Sequence, residues 1–178
     1  MSGTSPSEAD ASCQTPEGDI AVLTFDILDS SIITRSVQSD QAGAVALFIG
    51  TTRDNFKGRK VIRLEYEAYT SLALKTMVQI LTEARRNDND LSNESSMPVS
   101  SLIRCAVHHR LGLVPVGEAS IVIAVSSPHR KEAFRACEFI LEEVKLKAQI
   151  WKREWYEGGG VNEATWKENF PPVRKNGT

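Results

Sequence analysis

The segment Gly43 to Thr51, GAVALFIGT, constrains the fold more than any other stretch of the chain. It is almost wholly apolar, suits extended backbone, and is far shorter than the ~20 residues a membrane-spanning helix needs. Such a run is stable in water only when both faces are covered, so it predicts a central strand with helices packed against its sheet. Val61 to Tyr69 follows a different pattern. Ile62, Leu64, Tyr66 and Ala68 alternate with Arg63, Glu65 and Glu67, the signature of a half-buried strand. Ala21 to Leu28, Leu102 to Arg110, Ala119 to Ser126 and Gln149 to Tyr156 supply further strands. Helical periodicity occurs twice. Thr70 to Arg86 places Ala73, Met77, Ile80, Leu81 and Ala84 on one stripe, with Thr70 or Ser71 able to cap it. Pro128 to about Lys147 turns Phe134, Cys137, Ile140, Leu141 and Val144 inward.

This order of elements gives an α+β fold, a mixed and largely antiparallel sheet packed with helices. Arg53 to Lys60 (RDNFKGRK) reads as a basic hairpin loop between two of the strands, and LGLVPVGE as a turn between two others. Residues 1–19 are polar and acidic and read as a disordered tail. Residues 20–157 form the domain, with a polar loop insert at about 87–98, and 158–178 read as a flexible tail opened by Gly158-Gly159-Gly160.

Charge narrows the function classes. Lys and Arg number 21 against 23 Asp and Glu, a formal net charge of -2, which argues against wholesale binding to nucleic acid or an anionic membrane. The charge is uneven, however. Residues 1–40 hold seven acids and one base, whereas 51–63 hold five bases and one acid. Met1 to Asp19 has no apolar signal-peptide core and no Arg-rich amphipathic face, so a cytosolic location is expected. Cys13, Cys105 and Cys137 are widely spaced, and His108-His109-Arg110 has no acidic partner at ligand spacing, so neither a disulfide framework nor a metal site is read. Cys105 and Cys137 lie in apolar periodic segments and are expected to be small core residues.

Three segments can carry chemistry. In Ser126-Ser127-Pro128-His129-Arg130, Ser127 stands where an N-cap belongs and Pro128 at the first helical position, which puts His129 and Arg130 in the first turn. An anion is favoured there by unpaired N–H groups and the helix dipole; the plain alternative is a cap with two solvated cations. In KLKAQIWKRE, Ile150, Lys152 and Glu154 share one strand face, Trp151, Arg153 and Trp155 the other, and Lys145 closes the preceding helix. Either these are exposed charges, or Lys152 is a lysine whose pKa burial and cationic neighbours lower into the range useful for acid–base work. Arg53 leaves the apolar strand into the basic loop, where its planar fork suits phosphate or carboxylate. No dinucleotide, P-loop or nucleophile-elbow glycine motif occurs.

Taken together, GAVALFIGTTRDNFKGRKVIRLEYEAY, HHRLGLVPVGEASIVIAVSSPHR and KLKAQIWKREWY resemble, in order and spacing, the large catalytic subunit of molybdopterin synthase, eukaryotic members above all. The resemblance runs from about Ile20 to Trp155. It implies that family's fold and a sulfurtransferase that converts cyclic pyranopterin monophosphate into the dithiolene of molybdopterin. The sulfur would arrive as a thiocarboxylate on the C-terminal Gly-Gly of a small ubiquitin-like subunit, in a heterotetramer built on a homodimer of the large one. Lys145 and Lys152 would be the catalytic lysines. His129 and Arg130 would hold the anionic end of the substrate, often across the dimer interface, with Arg153, Glu154 and Arg53 lining the same site. No cofactor of the subunit's own is implied. Lys167 and Arg174 are the bases left unassigned downstream of Trp155. The rival reading is a non-catalytic module whose basic pocket binds an acidic or Gly-Gly-tailed partner; a nucleic-acid-binding domain is weaker, since only one loop is basic.

Overall fold

A computed structural model describes residues 10–91, 101–159, 164 and 166–168. Two sheets share one core. The first has the order β1-β2-β6-β8-β3, made of Ala11–Gln14, Ile20–Thr24, Arg104–Arg110, Ala119–Ser127 and Ala44–Thr51 respectively. The second runs β10-β9-β5-β4, from Lys167–Glu168, Ile150–Tyr156, Arg59–Ala68 and Asn55–Phe56, with β7 (Gly112–Pro115) also on β5. The β2–β6 pair is parallel and every other described pair antiparallel. The mixed α+β class is therefore as expected.

Helices α2 (Thr70–Leu91) and α3 (Arg130–Lys147) pack on each other and on one face of the first sheet. Met77, Ile80, Leu81, Ile140 and Val144 meet Leu23, Val107, Ile123 and Val125 there, and Tyr66, Val114 and Ile150 of the second sheet join the same core. A short helix, α1 (Ser30–Ser36), covers the other face of the first sheet, where Ile33 and Val37 meet Ala106, Val122 and Ala124. Asp29 caps it, its carboxylate accepting from the N–H groups of Ser31 and Ile32. Among the described residues no helix is long and apolar enough to cross a membrane.

Several expectations need correction. The apolar strand β3 is an edge, not the centre, of its sheet, and it leaves Val45 37%, Leu47 42% and Ile49 41% exposed. The strand buried along all but its first residue is β8, which lies between β6 and β3. Arg53 to Lys60 does not join paired strands, because β3 and β5 belong to different sheets. The hairpin lies inside the segment: β4 and β5 close through Lys57 (φ 50°) and Gly58 (φ 78°), the two left-handed positions of a tight two-residue turn. LGLVPVGE is more than a turn, since it crosses to the second sheet as β7 before returning to β8. Phe134 is 64% exposed rather than inward, because Ala133, Ala136 and Cys137 take the packed stripe beside it.

The expected disordered tail is ordered where it is described. β1 pairs with β2, and Asp19 is fully buried. Its carboxylate binds Arg85 through two bonds of 2.6 Å and accepts the Cys105 N–H at 2.8 Å, while Arg85 also donates to the Leu102 and Ile103 carbonyls. Strand pairing uses main chain, so a tail without apolar side chains can still join a sheet. The stretch expected as a loop at about 87–98 is helical as far as Leu91, where α2 ends; the rest of that stretch, residues 1–9 and most of 158–178 lie outside the described residues.

Candidate active site

A cavity of about 450 Å³ is lined by residues of both sheets. Each wall comes from a different element. Phe48, Gly50 and Thr51 come from β3, Arg53 and Phe56 from the segment after it, Ser120 and Ile121 from β8, and Lys145 from the last turn of α3. The second sheet contributes Leu64 and Tyr66 from β5 and Lys152 and Glu154 from β9, and β6 contributes His109. The exit of β3 is pinned where the mouth begins: the Thr52 N–H donates to the Glu118 carbonyl at 3.0 Å, and the Gly117 N–H to the Thr52 carbonyl at 2.9 Å.

Strand alternation decides which charges enter. Lys152 and Glu154 point to the cavity, and the register sets Lys152 directly opposite Tyr66, and Glu154 opposite Leu64. Arg153 points the other way. It grips Glu65 through bonds of 2.7 and 2.9 Å, lies over the rings of Trp155 and Trp166, and holds the Glu65 carboxyl below its ordinary range. It therefore does not line the cavity with Lys152, as was expected; it braces the outer face of the second sheet.

Inside, the cations stand among aromatic rings. Lys145 Nζ lies 5.9 Å from the centre of the Phe48 ring, and both lysines are half-buried. Burial pulls the Lys152 amine below the ordinary lysine value, and Lys145, Lys167 and Arg53 act in the same direction, while Glu154 opposes them. Glu154 is 6% exposed. Burial alone would raise its pKa, but Tyr156 donates to it at 2.5 Å and Lys167 at 3.1 Å, and the net direction is down. Glu154 thus stays a carboxylate and fixes the end of β10 against β9. Lys167, left unassigned above, is the base that reaches it; Arg174 lies outside the described residues.

His129 and Arg130 are elsewhere. β8 runs to Ser127 and α3 starts at Arg130, so the N-cap is His129 and not Ser127. His129 is itself extended, at φ -128° and ψ 144°. The Ser127 hydroxyl still accepts the His129 N–H at 3.4 Å, but ahead of the helix, and no side chain caps α3. Both side chains are exposed at the rim of a separate surface depression with Gly43 and Pro128. Arg53, Lys145, Lys152 and Glu154 therefore share one cavity, from which His129 and Arg130 are absent.

Tyr66, Ser120 and His109 were missed as cavity residues. For His109 a signal existed: it has the same parity as Cys105 and Val107, which face the core. Its Nδ1 lies 2.8 Å from the Arg110 carbonyl and its ring meets Tyr66 edge-on at 4.9 Å. Cys105 and Cys137 are buried in the core as expected, and burial pushes both thiols up, Cys137 to about 11.

The cavity gathers three basic side chains, Arg53, Lys145 and Lys152, and one carboxylate, Glu154, an arrangement whose charge suits an anion. Comparison with known proteins makes this specific. The MoaE protein family matches over residues 23–147. "Molybdopterin synthase catalytic subunit 2" of Aedes aegypti is 49% identical over 148 residues, 83% of this chain and 87% of that protein. The "Molybdopterin synthase catalytic subunit" of Taeniopygia guttata is 45% identical over 151 residues, 85% of this chain and 88% of that one. A molybdopterin synthase crystal structure from Staphylococcus aureus superposes with a TM-score of 0.68 at 32% identity, covering 82% of this chain and 94% of that one. The fold is shared with a chain in a complex of subunits 1 and 2 of the molybdopterin-converting factor of Helicobacter pylori, at a TM-score of 0.59 and 21% identity. The chain belongs to the MoaE family of molybdopterin synthase catalytic subunits.

Proposed function

We propose that the cavity is the sulfur-transfer site of a molybdopterin synthase, taking a thiocarboxylate from a small ubiquitin-like subunit and a pterin monophosphate as substrate. The observation that carries this reading is the meeting of Lys145, Lys152 and Arg53 in one cavity with Lys152 depressed. Both reactants are anionic, and cations in a partly dry cavity hold them far better than cations in water. Lys152, closest to losing its proton, acts as general acid–base or as a transient amine nucleophile. Lys145, over the Phe48 ring, orients the thiocarboxylate and offsets its charge. The small subunit's extended tail enters by main-chain hydrogen bonding. The site of action is the cytosol.

A second copy of the chain completes the site. β3 is an edge strand with an exposed apolar row, Val45, Leu47 and Ile49, a surface a second β3 would cover. In an antiparallel pairing with its two-fold axis at Leu47, Gly43 of one copy faces Thr51 of the other. A Cβ built on Gly43 would lie 2.3 Å from the Pro128 carbonyl oxygen, so the head of α3 travels with that strand end. His129 and Arg130 then stand beside the other copy's Thr51 and Arg53, at the cavity mouth, and add phosphate contacts to those of the cavity.

The test is reconstitution. Purified chain, thiocarboxylated small subunit and cyclic pyranopterin monophosphate are combined and the dithiolene product detected by mass. Product from the wild-type chain supports the reading; partner binding without product makes the chain a scaffold. For the second copy, Leu47→Arg is expected to halve the mass seen by light scattering, and an unchanged mass would remove the β3 pairing.

A further inference from the structure

One base beside the cavity has no part in this scheme. Lys167 lies on β10, where the register sets it directly opposite Lys152 of β9. Its neighbour Trp166 is stacked on Arg153, whose guanidinium lies 4.6 Å from that ring and 4.9 Å from the Trp155 ring and is bonded twice to Glu65. The outer face of the second sheet thus anchors β10, and strand alternation turns Lys167 to the other face. There Nζ lies 5.3 Å from the centre of the Phe56 ring and donates to Glu154 Oε2 at 3.1 Å.

Glu154 has two lysines within reach of its strand face, Lys152 two residues before it and Lys167 across from it. Tyr156 and Lys167 both donate to Oε2, whereas Oε1 takes no hydrogen bond among the described residues. Even so, the Lys152 amine forms no hydrogen bond or ion pair among the described residues. The carboxylate has gone to the lysine whose side chain is 45% exposed and has left the half-buried one without a counter-ion.

We propose that Lys167 is a positioning residue for Lys152: by binding Oε2 from β10 it holds the Glu154 carboxylate back from the Lys152 amine. The proposal rests on the function proposed above only for its kinetic consequence. The remaining groups around Lys152 are Tyr66 opposite it on β5, His109 from β6, Lys145 from α3 and Arg53 from the segment after β3. None of these is an anion near neutral pH, since burial pushes the Tyr66 hydroxyl up and holds His109 at about 4. Glu154 is therefore the carboxylate that can neutralise Lys152. Lys167 opposes this twice, by occupying the carboxylate and by setting a like charge directly across the strands.

The first test is direct. Side-chain nitrogen NMR of the full chain follows the Lys152 amine, its signal identified by its loss in Lys152→Met. Lys167→Met is expected to raise the pH at which this amine titrates. Lys167→Arg, which keeps a cation and a donor for Oε2, is expected to leave it near the wild-type value. Adding Glu154→Gln to Lys167→Met is expected to bring it back down. An unmoved titration in Lys167→Met, or a rise undiminished by Glu154→Gln, overturns the proposal whether or not the chain transfers sulfur. The second test is kinetic, in the reconstituted complex. Lys167→Met is expected to lower kcat at neutral pH about threefold or more, to change KM less, and to move the acid limb of the rate profile to higher pH. The sign follows because an amine paired with a carboxylate holds its proton more firmly. A loss of rate that is equal at every pH, with the Lys152 titration unmoved, would mean that Lys167 only fastens β10 in place. A moved titration with an unchanged rate profile upholds the positioning and overturns the chemistry assigned to Lys152.

Discussion

The cavity and the head of α3 are both cationic, yet they differ in every other respect. In the cavity Lys145 and Lys152 are half-buried beside Phe48, Tyr66 and a buried carboxylate, and Lys152 is shifted toward neutrality. At the head of α3, His129 and Arg130 are exposed beside free helix N–H groups with no side-chain cap. Burial is what separates them. A half-buried amine with a lowered pKa gives up its proton more readily, whereas an exposed guanidinium stays charged and can only bind. The proposed function gives the chemistry to the first region and the holding of an anion to the second.

The largest expected effect breaks the comparison at its chemical end. Lys152→Ala should lower single-turnover product formation by about 10²-fold or more, the usual weight of a positioned acid–base group. Lys152→Arg should do no better, since it keeps the charge but cannot give up the proton. Retained activity in the arginine variant would reduce Lys152 to a binding charge, the same kind of residue as Arg130.

Arg130→Ala sharpens the other end. Loss of one phosphate contact should raise KM about tenfold and leave kcat nearly intact. If the site is shared between copies, mixing Arg130→Ala with Lys152→Ala should yield mixed dimers with one intact site and recover part of the activity. No recovery would place His129 and Arg130 outside the site.

A smaller effect is expected in stability. His109 is buried neutral, with its pKa lowered from 6.5 to about 4. Below 6.5 the unfolded chain takes up a proton that the folded chain refuses, so the contribution is complete above that pH and lost as pH falls from 6.5 toward 4. His108, also lowered to about 4 by burial, loses stability over the same window. Urea midpoints should therefore fall across it, and His109→Gln should flatten the slope. Asp19→Asn should destabilise the chain at neutral pH by about 3 kcal/mol, because it leaves Arg85 buried without its anion. An unchanged urea midpoint would show that the tail adds nothing to the domain.

The sequence made some of this legible and hid the rest for physical reasons. Alternation in QIWKREWY put Lys152 and Glu154 on one face and Arg153 on the other, and the structure follows that pattern rather than the single shared site the resemblance implied. Helical periodicity found α2 and α3 because their packed faces are apolar. Nothing in the residues announced β1, whose pairing is main-chain, or the crossing of β7 between sheets, which depends on a partner strand far away in sequence. The apolar run of β3 was assigned to the centre of the sheet because burial on both faces was assumed to come from the same chain. Its exposed row indicates where the cover belongs.

The most direct measurement is the single-turnover rate at saturating substrate for Lys152→Ala and Arg130→Ala, side by side with wild type in the reconstituted complex. The account predicts that saturation restores Arg130→Ala to nearly the wild-type rate and leaves Lys152→Ala slower by about 10²-fold or more. Equal rates in the two variants, or a Lys152→Ala rate near wild type, would contradict the assignment of chemistry to the cavity and of binding to the head of α3.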